Sequence, residues 1–144
     1  MVISSKENRF IKLWRQLSAD GRARRKQGLF ACEGARLCMD AALSNVGIFA
    51  VLYTEKAADV YAAHLQPILD AAENAFIITT QLAQHMADTT SPQGVFCICK
   101  TPDTAARLSA LSSSGRYLAL EDVQDPANLG TIIRSADAFG ACGV

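Results

Sequence analysis

The sequence predicts an α/β protein: a three-layer α/β/α domain over residues 1–100, a linker over 101–115, and the start of a second α/β unit over 116–144. Three observations carry that expectation. Apolar runs of strand length alternate with segments of helical periodicity as far as Lys100. A polar stretch containing Ser112-Ser113-Ser114-Gly115, of linker composition, then interrupts the alternation. The pattern resumes afterwards for one strand and one helix only, and Gly143-Val144 reads as the entry to another strand.

Ser4 and Glu7 have capping-box spacing, and Phe10, Leu13, Trp14 and Leu17 follow at i, i+3, i+4 and i+7. A first helix is therefore expected from about Ser5 to Ser18, with Trp14 in its core stripe. Leu29 to Cys32 reads as a short strand, and Ala35 to Leu43, which includes Leu37, Met39 and Leu43, as a helix stopped by Asn45 and Gly47. Ile48 to Tyr53 is a continuous, partly β-branched apolar run of the kind buried on both faces of a parallel sheet. The Ala-rich Ala57 to Ala72 supplies the next helix, kinked or divided by Pro67. Phe76 to Thr79 (strand), Gln81 to Asp88 (helix) and Gly94 to Cys99 (strand) complete an αβαβαβαβ order. Beyond the linker, in which a short helix over Thr104 to Leu111 is compatible with the residues, Tyr117 to Leu120 reads as a strand. Glu121 to Asn128 reads as a loop, and Gly130 to Phe139 as a helix ended by Gly140.

Half of the residues are hydrophobic and 19% are charged, with 14 basic side chains matching 14 acidic ones. No apolar run approaches the roughly 18–20 residues of a membrane-spanning helix, which excludes that class. The amino terminus lacks the charged-then-apolar order of a signal peptide, so the expected compartment is the cytoplasm. Cys32, Cys38, Cys97, Cys99 and Cys142 form no C-x-x-C pair and no zinc-like spacing with His64 or His85; reduced thiols, no disulfide and no metal are expected. The zero net charge conceals a split. Residues 1–36 hold nine basic side chains against three acidic ones, and the other 108 residues carry the compensating negative excess. Clustered cations of this kind neutralise phosphates and release counterions, so the amino-terminal end is the candidate nucleic-acid face. Its candidate RNA-binding residues are Arg9, Lys12, Arg22, Arg24, Arg25, Lys26 and Arg36, densest in Arg22 to Lys26, with Arg15 extending the helix-one face.

The segment from Leu120 to Gly140 packs unusual chemistry between a strand and a helix. Pro126 sets a rigid turn, Asn128 is placed to cap the helix, Gly130 permits a close approach, and Arg134 lies one turn in. Ligands of open α/β sheets collect at this carboxyl end of the strands. The alternative is structural: Asn128 as a cap and Arg134 as an ion-pair partner of an acid such as Asp125.

Asp122 to Gly140 resembles the first motif of the SpoU/TrmH family of RNA 2′-O-ribose methyltransferases, roughly D-x-V-x-D-P-x-N-x-G-x-I-x-R-x-A-x-x-F-G, whose first acid also aligns with Glu121. Ser4 and Asn8, Arg22 to Lys26, Phe30 to Arg36, and Ser91-Pro92-Gln93-Gly94-Val95 are similar to that family's amino-terminal substrate-binding domain. The resemblance implies an α/β/α domain related to small ribosomal RNA-binding proteins, followed by a trefoil-knotted domain that acts as a homodimer. It implies methyl transfer from S-adenosylmethionine to a ribose 2′-hydroxyl of rRNA or tRNA. Within it, Asn128 and Arg134 match the catalytic positions. An arginine is a poor general base, so Arg134 is expected either to stabilise the developing alkoxide or to orient a phosphate. The later motifs, which bind the cofactor and form the knot, are missing, so the chain is expected to be a fragment that neither binds S-adenosylmethionine nor acts alone. The competing reading is a non-catalytic RNA-binding module resembling a small ribosomal protein, which would have no need of Asn128 and Arg134. A nucleotide-binding Rossmann unit is disfavoured because no G-x-G-x-x-G follows a strand.

Overall fold

The computed structural model describes residues 2–87 and 89–144; of Arg107 it describes the backbone only. Asp88, placed above at the end of a helix, lies outside these residues. The chain divides into two compact units, the first ending at Pro102 and the second spanning Asp103–Val144.

In the first unit the elements are β1 (Val2–Ile3), α1 (Arg9–Ala19), α2 (Gly21–Gln27), β2 (Leu29–Glu33), α3 (Ala35–Leu43), β3 (Ile48–Tyr53), α4 (Glu55–Val60), α5 (Ala62–Ala71), β4 (Ala75–Ile78), α6 (Thr80–Met86) and β5 (Val95–Lys100). The strands form one sheet in the order β1-β4-β3-β5-β2, and β5 alone runs against the others. The expectation that Ile48 to Tyr53 sits in a parallel sheet is thus half corrected: β3 is parallel to β4 but antiparallel to β5. The reason is the length of α6. Its seven residues advance only about 10 Å, half the span of a six-residue strand, and β5 begins with Val95 opposite Tyr53, at the end of the sheet where β4 also finishes. A strand starting there must run the other way.

Helices cover both faces. On one, α1 and α6 bring Phe10, Ile11, Trp14, Leu17, Leu82 and Met86 onto Ala50, Leu52, Ile78, Phe96 and Ile98. Trp14 meets Phe96 edge to face at 5.1 Å and donates its indole N–H to the Cys32 carbonyl at 3.3 Å. On the other face α3, α4 and α5 bring Ala35, Cys38, Ala57, Leu65 and Ile68 onto Cys32, Ile48, Val51, Val95, Cys97 and Cys99. The register shift between Ile48 and Ala50 lets both Ile48 and Val51 serve this second face. Leu37 and Leu43, read as apolar residues of α3, face solvent; the helix packs through its small residues instead.

Several boundaries differ from the sequence reading. Val2 and Ile3 pair with Ile77 and Ile78, the chain then turns with the Asn8 N–H donating to the Ser5 carbonyl at 3.2 Å, and Asn8, not Ser4, caps α1 by accepting from the Phe10 N–H at 2.9 Å. The break in the Ala-rich segment falls at Tyr61, while Pro67 is tolerated inside α5 at the loss of one backbone donor. The basic run is itself the helix α2, capped by Asp20.

Gly94 holds φ +76°, and a Cβ there would lie 2.5 Å from the Oγ1 of the buried Thr54. That hydroxyl is not free to retreat, because it caps α4 by accepting from the Ala57 N–H at 3.1 Å.

The second unit contains α7 (Thr104–Ser109) and α8 (Pro126–Ala138). The strand expected over Tyr117 to Leu120 reduces to a single parallel bridge between Tyr117 and Gly143, supported by the Leu118 N–H donating to the Gly143 carbonyl at 3.0 Å. Residues 118–120 find no further ladder among the described residues. Helix α8 starts four residues earlier than expected, with Pro126 in its first turn and Asp125 accepting from the Ala127 N–H at 2.8 Å. Asn128 is therefore not the cap.

Cys32, Cys38, Cys97 and Cys99 are buried together, and Cys142 is exposed. The Cys99 thiol donates to the Cys32 sulfur at 3.9 Å, and the hydrogen bond together with burial pushes Cys99 well above the ordinary thiol range. Cys97 is pushed up likewise, by its contact with Cys38 and by burial. Thiols held protonated are poor nucleophiles. Native protein titrated with a thiol reagent is expected to expose one reactive group, Cys142, and unfolded protein all five; rapid reaction of a second native thiol would contradict this packing. Gly94→Ala is expected to destabilise the first unit by about 2–3 kcal/mol, read as a lower urea midpoint at unchanged m-value.

Candidate functional site

Three places gather the residues that could recognise a ligand, two in the first unit and one in the second. The first is α2. Gly21–Gln27 is held at its start by Asp20, whose carboxylate accepts from the Arg22 N–H at 2.7 Å. Its cations divide into two kinds. Arg24 is half-buried, and its Nη1 donates to the Leu17 and Ser18 carbonyls at 2.7 and 3.1 Å, closing the carboxyl end of α1. That contact satisfies carbonyls that have no partner within their own helix and places a cation at the negative end of its dipole. Arg22, Arg25 and Lys26 are exposed, and none pairs with a carboxylate among the described residues. They are the cations of α2 available to phosphate.

The remaining candidates are less open. Lys12 pairs with Glu7, whose carboxyl is held below its ordinary range by that ammonium. Arg36 approaches Asp40 at 3.9 Å along α3, and the Arg9 guanidinium lies over the Phe10 ring at 4.7 Å. Exposed pairs such as these contribute little and open readily toward a stronger anion.

The second place is the end of the sheet where β3 and β4 finish and β5 begins. Here the two segments quoted for the family resemblance interlock. The Gly34 N–H donates to the Val95 carbonyl at 2.9 Å, and Gln93 Oε1 accepts from the Ala35 N–H at 2.8 Å, capping α3 from 58 residues away. A side chain on Gly34, at φ +102°, would press on that oxygen from 3.2 Å. Beside this junction lies a cleft of about 290 Å³ lined by Thr54, Lys56, Tyr61, Gln84, Ser91 and Gln93. Sequence reasoning missed Gln93 as a cap; its only signal was the motif Ser91 to Val95, which does not show which helix it reaches.

The third place is α8. Arg134 is exposed and donates from Nη2 to the Thr131 hydroxyl at 3.2 Å, with Nη1 over Gly130, where an added Cβ would come within 3.3 Å. Gly130 therefore leaves the guanidinium room to lie along the helix. Asn128 is exposed in the first turn, and six residues of helix put it roughly 120° around the axis from Arg134. No contact among the described residues brings the two side chains together, and neither pairs with Asp125, whose carboxylate is occupied as the cap. The loop before the helix is tight: Asp122 has φ +52°, and Gln124 reaches back to its carboxylate at 3.4 Å.

Among the described residues no group of three or more His, Cys, Asp or Glu side chains is placed to hold a metal, and no helix is long and apolar enough to cross a membrane.

Comparison with known proteins agrees with this geometry. Among curated proteins, the chain is 28% identical to the 23S rRNA (guanosine(2553)-2′-O)-methyltransferase RlmP of Bacillus subtilis over 96% of its own length. It is 32% identical to an uncharacterized tRNA/rRNA methyltransferase of Synechocystis over 99% of its length. In both cases it spans 51% of the relative, about half. The AdoMet-bound rRNA methyltransferase from Sinorhizobium meliloti superposes with a TM-score of 0.77 at 26% identity, covering 99% of this chain and 52% of that one. Residues 8–97, from the cap of α1 to the middle of β5, match the family model described as the MRM3-like substrate binding domain. The chain therefore belongs to that substrate-binding family, within the SpoU/TrmH group of RNA methyltransferases.

Proposed function

We propose that this chain supplies the RNA-recognition domain and the first catalytic motif of an RNA 2′-O-ribose methyltransferase that uses S-adenosylmethionine and acts on ribosomal or transfer RNA. The observation that carries the reading is the succession, in one chain, of a substrate-binding domain with three open cations on α2 and a motif that presents Arg134 without a carboxylate partner among the described residues. The names of the relatives support the substrate class, and an AdoMet-bound relative supports the methyl donor.

Arg134 performs the electrostatic part of the chemistry. A ribose hydroxyl gains negative charge as it loses its proton and becomes nucleophilic. A guanidinium stays protonated at any physiological pH, so it does not take that proton. What it offers is a fixed pair of N–H donors, aimed at the developing oxyanion or at the phosphate next to it. Asn128, on a different side of α8, acts as a separate positioning group rather than as a partner of Arg134.

The described residues do not fit the methyl donor. The hollow of the second unit, about 420 Å³, is lined by Arg116, Tyr117, Leu118, Ile132, Ala136 and Phe139 among others, with no carboxylate to meet a sulfonium or ribose hydroxyls. Its neighbours Ile133 and Phe139 are exposed, Phe139 to 82%, an apolar surface that further protein, including a second copy in a homodimer, would cover.

Calorimetric titration of the chain with S-adenosylmethionine is expected to give no stoichiometric heat, and no methyl transfer is expected from it alone; a saturable one-to-one isotherm would overturn this. In filter binding to bulk ribosomal RNA, replacing Arg22, Arg25 and Lys26 together by Gln is expected to lower the logarithmic salt slope by on the order of two units. Arg24→Gln is expected to leave the slope nearly unchanged and instead to cost about 1 kcal/mol of stability, because it removes the closure of α1. Equal slopes for the triple variant and the parent would remove α2 from the interface.

A further inference from the structure

A second set of cations lies where α1 meets α6, and its chemistry differs from that of α2. The loop after β1 contributes Lys6 and Glu7, α1 contributes Lys12 and Arg15, and α6 contributes His85; together they line a hollow of about 400 Å³. The Arg15 Nη1 lies 2.8 Å from His85 Nε2. A guanidinium has only donors, so the imidazole accepts through Nε2, is neutral, and holds its proton on Nδ1. The acid of the group, Glu7, is turned onto Lys12. Lys6 and Arg15 thus face the half-buried ring with no carboxylate partner among the described residues. A neutral imidazole is a weak partner for an arginine, and it cannot balance two cations. Among the described residues the hollow holds three cations, Lys6, Lys12 and Arg15, against one carboxylate, which leaves room for an anion.

From this cluster we infer a phosphate-binding site, formed by Lys6, Arg15 and His85, that grips a phosphodiester of the RNA backbone. The inference rests on the RNA-binding reading above and assigns to it a contact point outside α2. Arg15 supplies the planar fork and Lys6 a point charge, the usual complement of a phosphate. The hollow is open at the surface, which suits a passing chain better than an enclosed small ion. Gln16, next to Arg15, accepts a hydrogen bond from Gln27 of α2 at 3.3 Å, so the cluster and the α2 cations sit on adjoining elements and can follow one strand.

The site has a built-in pH response. In the free protein, desolvation, aided by Lys6 and Arg15, holds the His85 ring below its ordinary value. A phosphate beside the ring favours the charged form and converts Nε2 from acceptor to donor. Bound RNA therefore raises the affinity of His85 for its proton, and by linkage RNA binds more tightly as pH falls through the ring's titration range. Of the side chains that line the hollow, Lys6, Glu7, Lys12, Arg15 and His85, the imidazole is the type that ordinarily changes charge between about pH 5 and 8.

The test uses the intact chain. The protein has two histidines, and His64, on α5 at the opposite face of the sheet, serves as an internal reference in ring-proton NMR titrations with and without a short RNA hairpin. The expected result is that RNA binding moves the His85 titration midpoint to higher pH and leaves that of His64 in place. Affinity should rise between about pH 7.5 and about pH 5.5, by up to about tenfold if the midpoint moves from one pH value to the next whole one above it. His85→Gln should abolish that rise while the protein still binds RNA at high pH, and Arg15→Gln should lower the salt slope by about one unit. Inorganic phosphate should move His85 less than the hairpin at equal phosphate concentration; an equal effect would overturn the assignment to an RNA backbone. If RNA binds while the His85 signals stay fixed, the site is overturned and the RNA-binding reading stands. If the parent chain binds no RNA at all, that reading fails and the inference falls with it.

Discussion

The turn at Gly94 is the contact on which the first unit depends. Its carbonyl accepts from the Thr54 N–H at 3.0 Å, its missing side chain leaves space for the Thr54 hydroxyl, and the residue before it caps α3. One turn thereby ties the end of β3, the start of α4, the start of α3 and the entry to β5. Because β5 is hydrogen-bonded on both edges and Val95 to Cys99 are all fully buried, misplacing its first residue would misplace the centre of the sheet. That dependence gives the glycine in Ser91-Pro92-Gln93-Gly94-Val95 a physical reason.

The surface above this frame shows how charge and stability are divided among neighbouring arginines. Arg24 and Arg25 are adjacent in sequence and indistinguishable by composition. Helix α2 turns one back onto the carbonyls of α1 and the other outward. The local excess of positive charge is thus part scaffold and part open surface, and on the proposed reading a salt-dependent affinity reports only the second part. The same division applies on α1, where Lys12 is matched by Glu7 while Arg15, among the described residues, meets an imidazole rather than a carboxylate.

In the second unit, the residues with the most specific spacing are the most exposed. Helix α8 buries Ala136 and leaves Asn128, Ile133 and Arg134 at the surface, an arrangement that stabilises little by itself. Such a helix leaves polar groups and apolar area open at the surface, and the relatives the chain matches are about twice its length.

Residues alone determined the alternation of strands and helices, the split of charge toward the amino-terminal end and the motif from Asp122 to Gly140, because each is a local pattern of period, composition or spacing. They were also enough to place Trp14 in a core and to mark Arg134 as a candidate. The tertiary structure decided the rest. It reversed β5, because a seven-residue helix is too short to bring the chain back across the sheet. It moved the cap of α1 from Ser4 to Asn8, because the chain turns over residues 5–8 after Val2 and Ile3 pair with β4 and the Asn8 side chain then meets the Phe10 N–H. It joined Gln93 to Ala35 and His85 to Arg15, partners 58 and 70 residues apart. Contacts at such separations depend on how the layers stack, and no periodicity along the chain encodes them.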